Sequence, residues 1–173
     1  MKGVIALCLK EMVEEKFGRE KWEEVLAQAG LPADTIFLAA EDVPDEVIMK
    51  AVWSACSVIG ENIEEAADAF GDYWVNVYSQ RVYPSFYRAN STARGLILDM
   101  DRVHDEITKS VKNARPPHFE FEWKDPKTLI VGYRSKRGMM DFAVGLLRGV
   151  GRFYKEDIKV RKLSDDKIEV LFP

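Results

Sequence analysis

Few residues in this sequence commit it to one chemistry. There are only two cysteines, Cys8 and Cys56, and neither belongs to a Cys-x-x-Cys pair, a Cys-x-x-Cys-His haem-attachment motif or a zinc-type spacing. Low cysteine use without a secretion signal points to a reducing cytoplasm. Both thiols sit among apolar residues, where inert burial is expected. No apolar run approaches the roughly 20 residues that a membrane span needs. Met1 to Leu9 is apolar apart from Lys2, but charged residues follow and no small-residue cleavage site appears, so it reads as a buried helix rather than a signal peptide. No Lys/Arg run stands apart from its acidic neighbours and the net charge is −4, which argues against nucleic acid as a partner. Internal repeats and low-complexity linkers are also absent.

What is present is an ordinary globular balance. Apolar residues are 47% and charged residues 31% of 173, enough for one domain with a real core or two small subdomains sharing one. Helical spacing predicts a first helix over 2–17 with Ile5, Leu9, Met12, Val13 and Phe17 inward, then a second over 19–29 carrying Trp22, Val25, Leu26 and Ala29. The connector 34–41 has an apolar middle, Ile36-Phe37-Leu38, expected to pack on the core. Pro44 suits the first turn of a third helix that Gly60 ends. Asn62 with Glu65 resembles a capping box for a fourth helix reaching about Gln80, with Ile63, Ala67, Phe70, Trp74, Val77 and Tyr78 inward. Tyr83-Pro84 breaks that pattern, and a connector follows, anchored by Phe86 and Tyr87. A long helix is expected over 91–113.

After Arg115-Pro116-Pro117 the periodicity changes from helical to alternating. Residues 118–123 and 128–133 read as strands around an Asp125-Pro126-Lys127 turn. Residues 139–154 read as a helix, and Ile158 to Leu163 and Ile168 to Phe172 as two more strands. The expected class is α+β: a helical N-terminal subdomain (1–62), then a subdomain (63–173) with a four-stranded, mostly antiparallel sheet and packed helices.

The long helix carries one of only two imidazoles. Leu96, Met100, Val103, Ile107 and Val111 form its apolar stripe, and His104 lies on the same side. A buried imidazole needs a partner for a ring nitrogen, because an unpaired buried polar group costs about 1–3 kcal/mol. On this helix alone two readings stand. One is a core histidine bonded to a backbone carbonyl; the other is a ligand to a metal, most simply one haem iron. Downstream, Tyr133, Ser135 and Arg137 alternate, so an extended strand would present a phenol, a hydroxyl and a guanidinium on one side. Such a trio suits a carboxylate or phosphate, although a polar strand end would look the same.

Taken together, the histidine on a long helix, the Tyr-x-Ser-x-Arg motif after it, the Met1-Lys2-Gly3 start, the Ala69-Phe70-Gly71-Asp72-Tyr73-Trp74 stretch, the Arg115-Pro116-Pro117 step and the Gly145-Leu146-Leu147-Arg148-Gly149 helix end resemble the haem-nitric oxide/oxygen-binding (H-NOX) family over nearly the whole chain. The resemblance implies non-covalent haem b held between the two subdomains. It makes His104 the proximal iron ligand and Tyr133, Ser135 and Arg137 the propionate anchors. Pro117 and Ile5 would press on the macrocycle from opposite sides. Met1, Leu9, Trp74, Tyr78, Met140 and Val144 complete the implied surroundings. Oxygen-binding members have a distal tyrosine whose hydroxyl donates to bound oxygen; Met140 matches that position and cannot donate, which favours nitric oxide and carbon monoxide over oxygen. Trp74 and Tyr78 are the two donors that could alter this preference. His118 is not expected to ligate, because Pro117 places its segment on the proximal side.

The resemblance thus implies a cytoplasmic gas sensor without catalysis of its own. Nitric oxide would weaken the bond to His104, and the released helix would shift conformation to regulate a separate histidine kinase or cyclic-di-GMP enzyme. An oxygen-binding haem sensor and a haem-free interaction module of the same fold are the alternatives. A peroxidase is disfavoured because no distal acid–base histidine is available.

Overall fold

A computed structural model describes residues 1–109 and 115–173. Two compact units divide the chain, Met1–Ala66 and Ala67–Pro173. The first holds α1 (Gly3–Phe17), α2 (Arg19–Gln28) and α3 (Asp45–Ile59). Its core is built from the predicted stripes: Leu9, Met12, Val13, Trp22, Val25, Leu26, Ile48 and Val52 are all buried. The first N–H groups of α1 would otherwise lack partners. They are taken by the connector, with Gly3 N–H donating to the Glu41 carbonyl at 2.9 Å and Val4 N–H to Ala39 at 3.2 Å.

Two expectations for this unit change. Phe17 is 41% exposed, because it is the last residue of α1 and the chain reverses immediately after it at Gly18 (φ 92°). In the connector only Phe37 is buried, while Ile36 and Leu38 are 79% and 63% exposed. Alternate residues of a non-helical segment point to opposite sides, so the middle of the three can insert while its neighbours cannot.

The capping box forms as read. Asn62 Oδ1 accepts from the N–H groups of Glu64 and Glu65, each at 3.0 Å, and Glu65 Oε2 accepts from Asn62 N–H at 3.1 Å. Helix α4 runs Ile63–Tyr73. The single helix expected to reach Gln80 is instead interrupted by a π-helical turn, Trp74–Tyr78, before the short α5 (Ser79–Val82). The wider turn changes the angular spacing after Trp74, and Val77 ends 38% exposed rather than inward. Pro84 opens a short helix, α6 (Pro84–Ala89), where a connector was expected. Its ring is pre-set for a first helical position.

Helix α7 (Ala93–Thr108) is capped by Thr92, whose side chain accepts from Gly95 N–H at 3.0 Å. Val111 and the expected last turn of this helix lie outside the described residues. Beyond them come β1 (His118–Trp123), β2 (Thr128–Arg134), α8 (Met140–Tyr154), β3 (Lys159–Lys162) and β4 (Lys167–Leu171). The sheet order is β1-β2-β4-β3, every pair antiparallel. Register pairs Phe119 with Tyr133, Phe121 with Val131 and Trp123 with Leu129, so the aromatic face of β1 continues the buried face of β2. Leu129, Val131, Ile168, Val170 and Val160 join Leu96, Ile97, Ala143 and Leu147 in one core under α7 and α8.

Helices α4 and α8 cross backbone to backbone. A Cβ on Gly145 would lie 2.1 Å from the Ala67 carbonyl oxygen, and one on Gly149 would lie 2.6 Å from that of Gly71. The Phe70-Gly71 stretch and the Gly145–Gly149 segment are therefore two sides of one contact. Arg152 Nε donates to Asp72 at 2.7 Å beside it.

Candidate functional site

The second unit brings His104 and the downstream anchor residues into one neighbourhood through a residue that the sequence did not single out. The His104 ring stacks on Phe119, with centroids 5.6 Å apart and planes 24° from parallel. Phe119 in turn meets Tyr133 at 5.8 Å. Strand β1 is pinned to α7 at this point, because Phe119 N–H donates to Asp101 Oδ1 at 3.0 Å, one helical turn before His104. The alternation of β1 gave Phe119 its face, but its partner on β2 depends on register, which the sequence does not display.

His104 Nδ1 is buried and has no hydrogen-bond partner. The backbone carbonyl that an ordinary core histidine would engage is missing there. Burial is the main cause that pulls the imidazole pKa down to about 4; the nearby Asp101 and Asp105 charges oppose it. The ring is thus neutral at ordinary pH with a nitrogen unspent, which is the state in which histidine ligates metal. Among the described residues no three His, Cys, Asp or Glu side chains gather into a metal cluster. A lone imidazole fits a metal whose other positions are supplied by a macrocycle, so the donor set fits a haem.

Tyr133, Ser135 and Arg137 lie close together, though not by strand alternation. Strand β2 ends at Arg134, and Ser135 to Arg137 turn away from the sheet. The turn is closed by Arg137 N–H donating to Ser135 Oγ at 3.2 Å. The Tyr133 phenol hydrogen-bonds Ser135; burial pushes it up, and Ser135 and the Arg137 charge act against that rise. Arg137 Nη1 donates to the Arg115 carbonyl at 2.6 Å, which ties the anchor turn to the segment leading to Pro117. Pro117 is half-buried immediately before β1. His118, its neighbour, is exposed, with Nδ1 3.5 Å from Asp101 Oδ1.

Trp74 and Tyr78 belong to an aromatic ladder. Phe70, Trp74 and Tyr78 stack in sequence, with centroid separations of 6.1 and 5.6 Å and interplanar angles of 20° at both steps. Helix α8 meets this ladder through Phe142, edge-on to Phe70 at 5.5 Å. Met140 and Val144 are buried in the core cluster, against which Trp74 of the ladder also packs. Met1, Ile5 and Leu9 belong to the first unit. There the Met1 ammonium donates to Asp42, Val43 and Asp45, Ile5 is half-buried and Leu9 is buried.

The Haem-NO-binding family profile matches residues 2–162. The chain belongs to the H-NOX family. It is 27% identical over 176 residues to the soluble guanylate cyclase gcy-35 of Caenorhabditis elegans, a match that covers 99% of this chain and 25% of the cyclase. The chain thus spans about a quarter of that relative's length. Among solved structures, a Cs H-NOX variant superposes with a TM-score of 0.89 at 24% identity, covering 99% of this chain and 96% of the other. An oxygen-binding H-NOX domain related to soluble guanylate cyclases, in its oxygen complex, superposes at 0.85 with 24% identity and 99% and 95% coverage. The α+β architecture read from sequence is therefore the H-NOX fold, and the family is one of haem-binding gas sensors. No helix among the described residues is long and apolar enough to cross a membrane.

Proposed function

We propose that the chain is a cytoplasmic, haem b-based sensor of nitric oxide that also binds carbon monoxide and holds oxygen poorly. The observation that carries this reading is the unpartnered buried Nδ1 of a neutral His104, next to Phe119 and Tyr133. In this reading His104 is the single protein ligand and sets the cofactor's position. Tyr133, Ser135 and Arg137 orient it by donating to the propionates, and Pro117 packs against it. The iron supplies the gas-binding position.

The preference among gases is assigned to the ladder side of the second unit. Phe70, Phe142, Met140 and Val144 carry no hydrogen-bond donor, so nothing they offer would stabilise a polarised oxygen ligand. Trp74 and Tyr78 carry one donor each, and their side chains are assigned to packing. Release of His104 on gas binding would free this part of α7 from the cofactor, while Asp101 of α7 still accepts from Phe119 N–H of β1. That change would be passed to a separate signalling protein, a histidine kinase or a cyclic-di-GMP enzyme; the sensing and signalling are a population shift of a two-state element.

The test uses the visible spectrum. The purified protein should show an intense Soret band, which His104→Gly should lose unless imidazole is supplied; full haem content in that variant without imidazole would place the ligand elsewhere. Reduced protein exposed to air should oxidise without accumulating an oxygen complex. A stable oxygenated spectrum would replace the nitric oxide reading with an oxygen sensor.

A further inference from the structure

The π-helical turn at Trp74–Tyr78 is held by side chains from the next turn of helix. Trp74 C=O accepts the Ser79 backbone N–H and also the Ser79 hydroxyl, the latter at 2.6 Å. Val75 C=O accepts Gln80 Nε2 at 2.9 Å. In both cases the donor comes from the residue five positions on, the spacing of π-helical hydrogen bonding, so each side chain reinforces the wide turn rather than an α-helical one. A serine hydroxyl has one proton, and Ser79 spends it on Trp74. The short contact between Ser79 Oγ and the Tyr87 hydroxyl is therefore donated by Tyr87. Ser79 is only 1% exposed, so both bonds lie away from bulk solvent. Tyr87 is itself placed by a T-shaped contact with Phe153, centroids 5.0 Å apart. Elsewhere in the turn Asn76 Nδ2 donates to the Gly149 carbonyl at 3.3 Å, and Phe70, Trp74 and Tyr78 stack in sequence, with the Arg81 guanidinium over the Tyr78 ring.

We infer that Ser79 and Tyr87 are positioning residues that set the pose of Trp74, and through it the environment of a diatomic ligand on the haem. The inference rests on the proposed reading that the ladder is the ligand side. The relay Tyr87 O–H to Ser79 Oγ to Trp74 C=O fixes the backbone from which the indole projects. Without it the turn can relax towards α-helical bonding, which rotates Trp74 and breaks its parallel stacking on Phe70 and Tyr78. Neither Ser79 nor Tyr87 needs to touch the cofactor to do this.

The experiment compares haem-loaded wild-type protein with Ser79→Ala, Tyr87→Phe, Ser79→Thr and Trp74→Phe. Carbon monoxide on the reduced protein is the probe. Its infrared stretching band and its dissociation rate are the readouts, and near-ultraviolet circular dichroism of the haem-free proteins reports the indole pose without the cofactor. Ser79→Ala and Tyr87→Phe should displace the band in the same direction as Trp74→Phe and change the dissociation rate at least threefold. Ser79→Thr, which keeps a hydroxyl, should stay near wild type. In the haem-free proteins the tryptophan dichroism should change in the first two variants. An unchanged band in Ser79→Ala and Tyr87→Phe, alongside a shifted band in Trp74→Phe, overturns the positioning role and leaves the ladder reading intact. No shift even in Trp74→Phe overturns the ladder reading and the inference with it. Should Ser79→Ala fail to fold, Tyr87→Phe, which deletes a single hydroxyl and keeps the ring, decides the matter.

Discussion

The imidazole of His104 lies nearly flat against the ring of Phe119, 5.6 Å between centroids and 24° from parallel. This contact joins α7 to the edge strand of the sheet at the one histidine whose ring nitrogen lacks a partner. Two different forces hold the junction: ring stacking between side chains and the bond from Phe119 N–H to Asp101.

Replacing Phe119 with alanine removes the ring and leaves the backbone bond. Phe119 is half-buried, so the expected loss is below that of a full core phenylalanine, about 2 kcal/mol. Urea unfolding of the haem-free protein should show it as a lower midpoint with an unchanged slope. Phe119→Leu should recover roughly half. A Phe119→Ala protein as stable as wild type would mean that the stacking contributes nothing.

Gly145→Ala tests the helix crossing. The added methyl would sit 2.1 Å from the Ala67 carbonyl oxygen, a backbone atom that cannot swing aside as a flexible side chain could. Helices α4 and α8 must then separate, at an expected cost of about 1–3 kcal/mol. The higher helix propensity of alanine, worth up to about 1 kcal/mol, offsets only part of this. Thermal unfolding should show a clear drop in Tm. A control at an exposed position of α8, Arg148→Ala, removes a long ion pair to Asp68 and one long hydrogen bond to the Val160 carbonyl, and should change Tm less than Gly145→Ala.

Alkaline pH should expose the Tyr87 relay. Burial is the chief cause that pushes the Tyr87 phenol up to about 12 from an ordinary value of 10. A group whose pKa is raised on folding contributes stability below its unfolded value, and that contribution is lost as pH rises through the folded value. Wild-type protein should therefore lose of the order of 2 kcal/mol between about pH 10 and 12 from this group. The tyrosinate absorbance of the folded protein should contain a late step that Tyr87→Phe lacks. Finding the same late step in the variant would assign it to another tyrosine.

Much of this molecule is determined locally and was legible in the residues alone. The capping box at Asn62, the strand alternation after Pro117 and, over its described residues, the stripe of α7 each depend on residues a few positions apart, and each formed. The family motifs were equally plain, because His104 and the Tyr133–Arg137 segment are short, ordered signals. What required tertiary structure depends on distance through space. Phe119 meets His104 only because β1 pairs with β2 in one register and Asp101 pins the two elements together. The anchor trio converges through a turn closed by Ser135 and not through an extended strand. The π-helical turn has no periodic signature, since it is one wide turn stabilised by Ser79 and by Tyr87, eight residues further along the chain, which packs against Phe153 of α8. For the same reason α8 could be predicted as a helix but not oriented: its seat on α4 is set by the close approach of Gly145 to Ala67, a contact between backbones that no side-chain pattern announces.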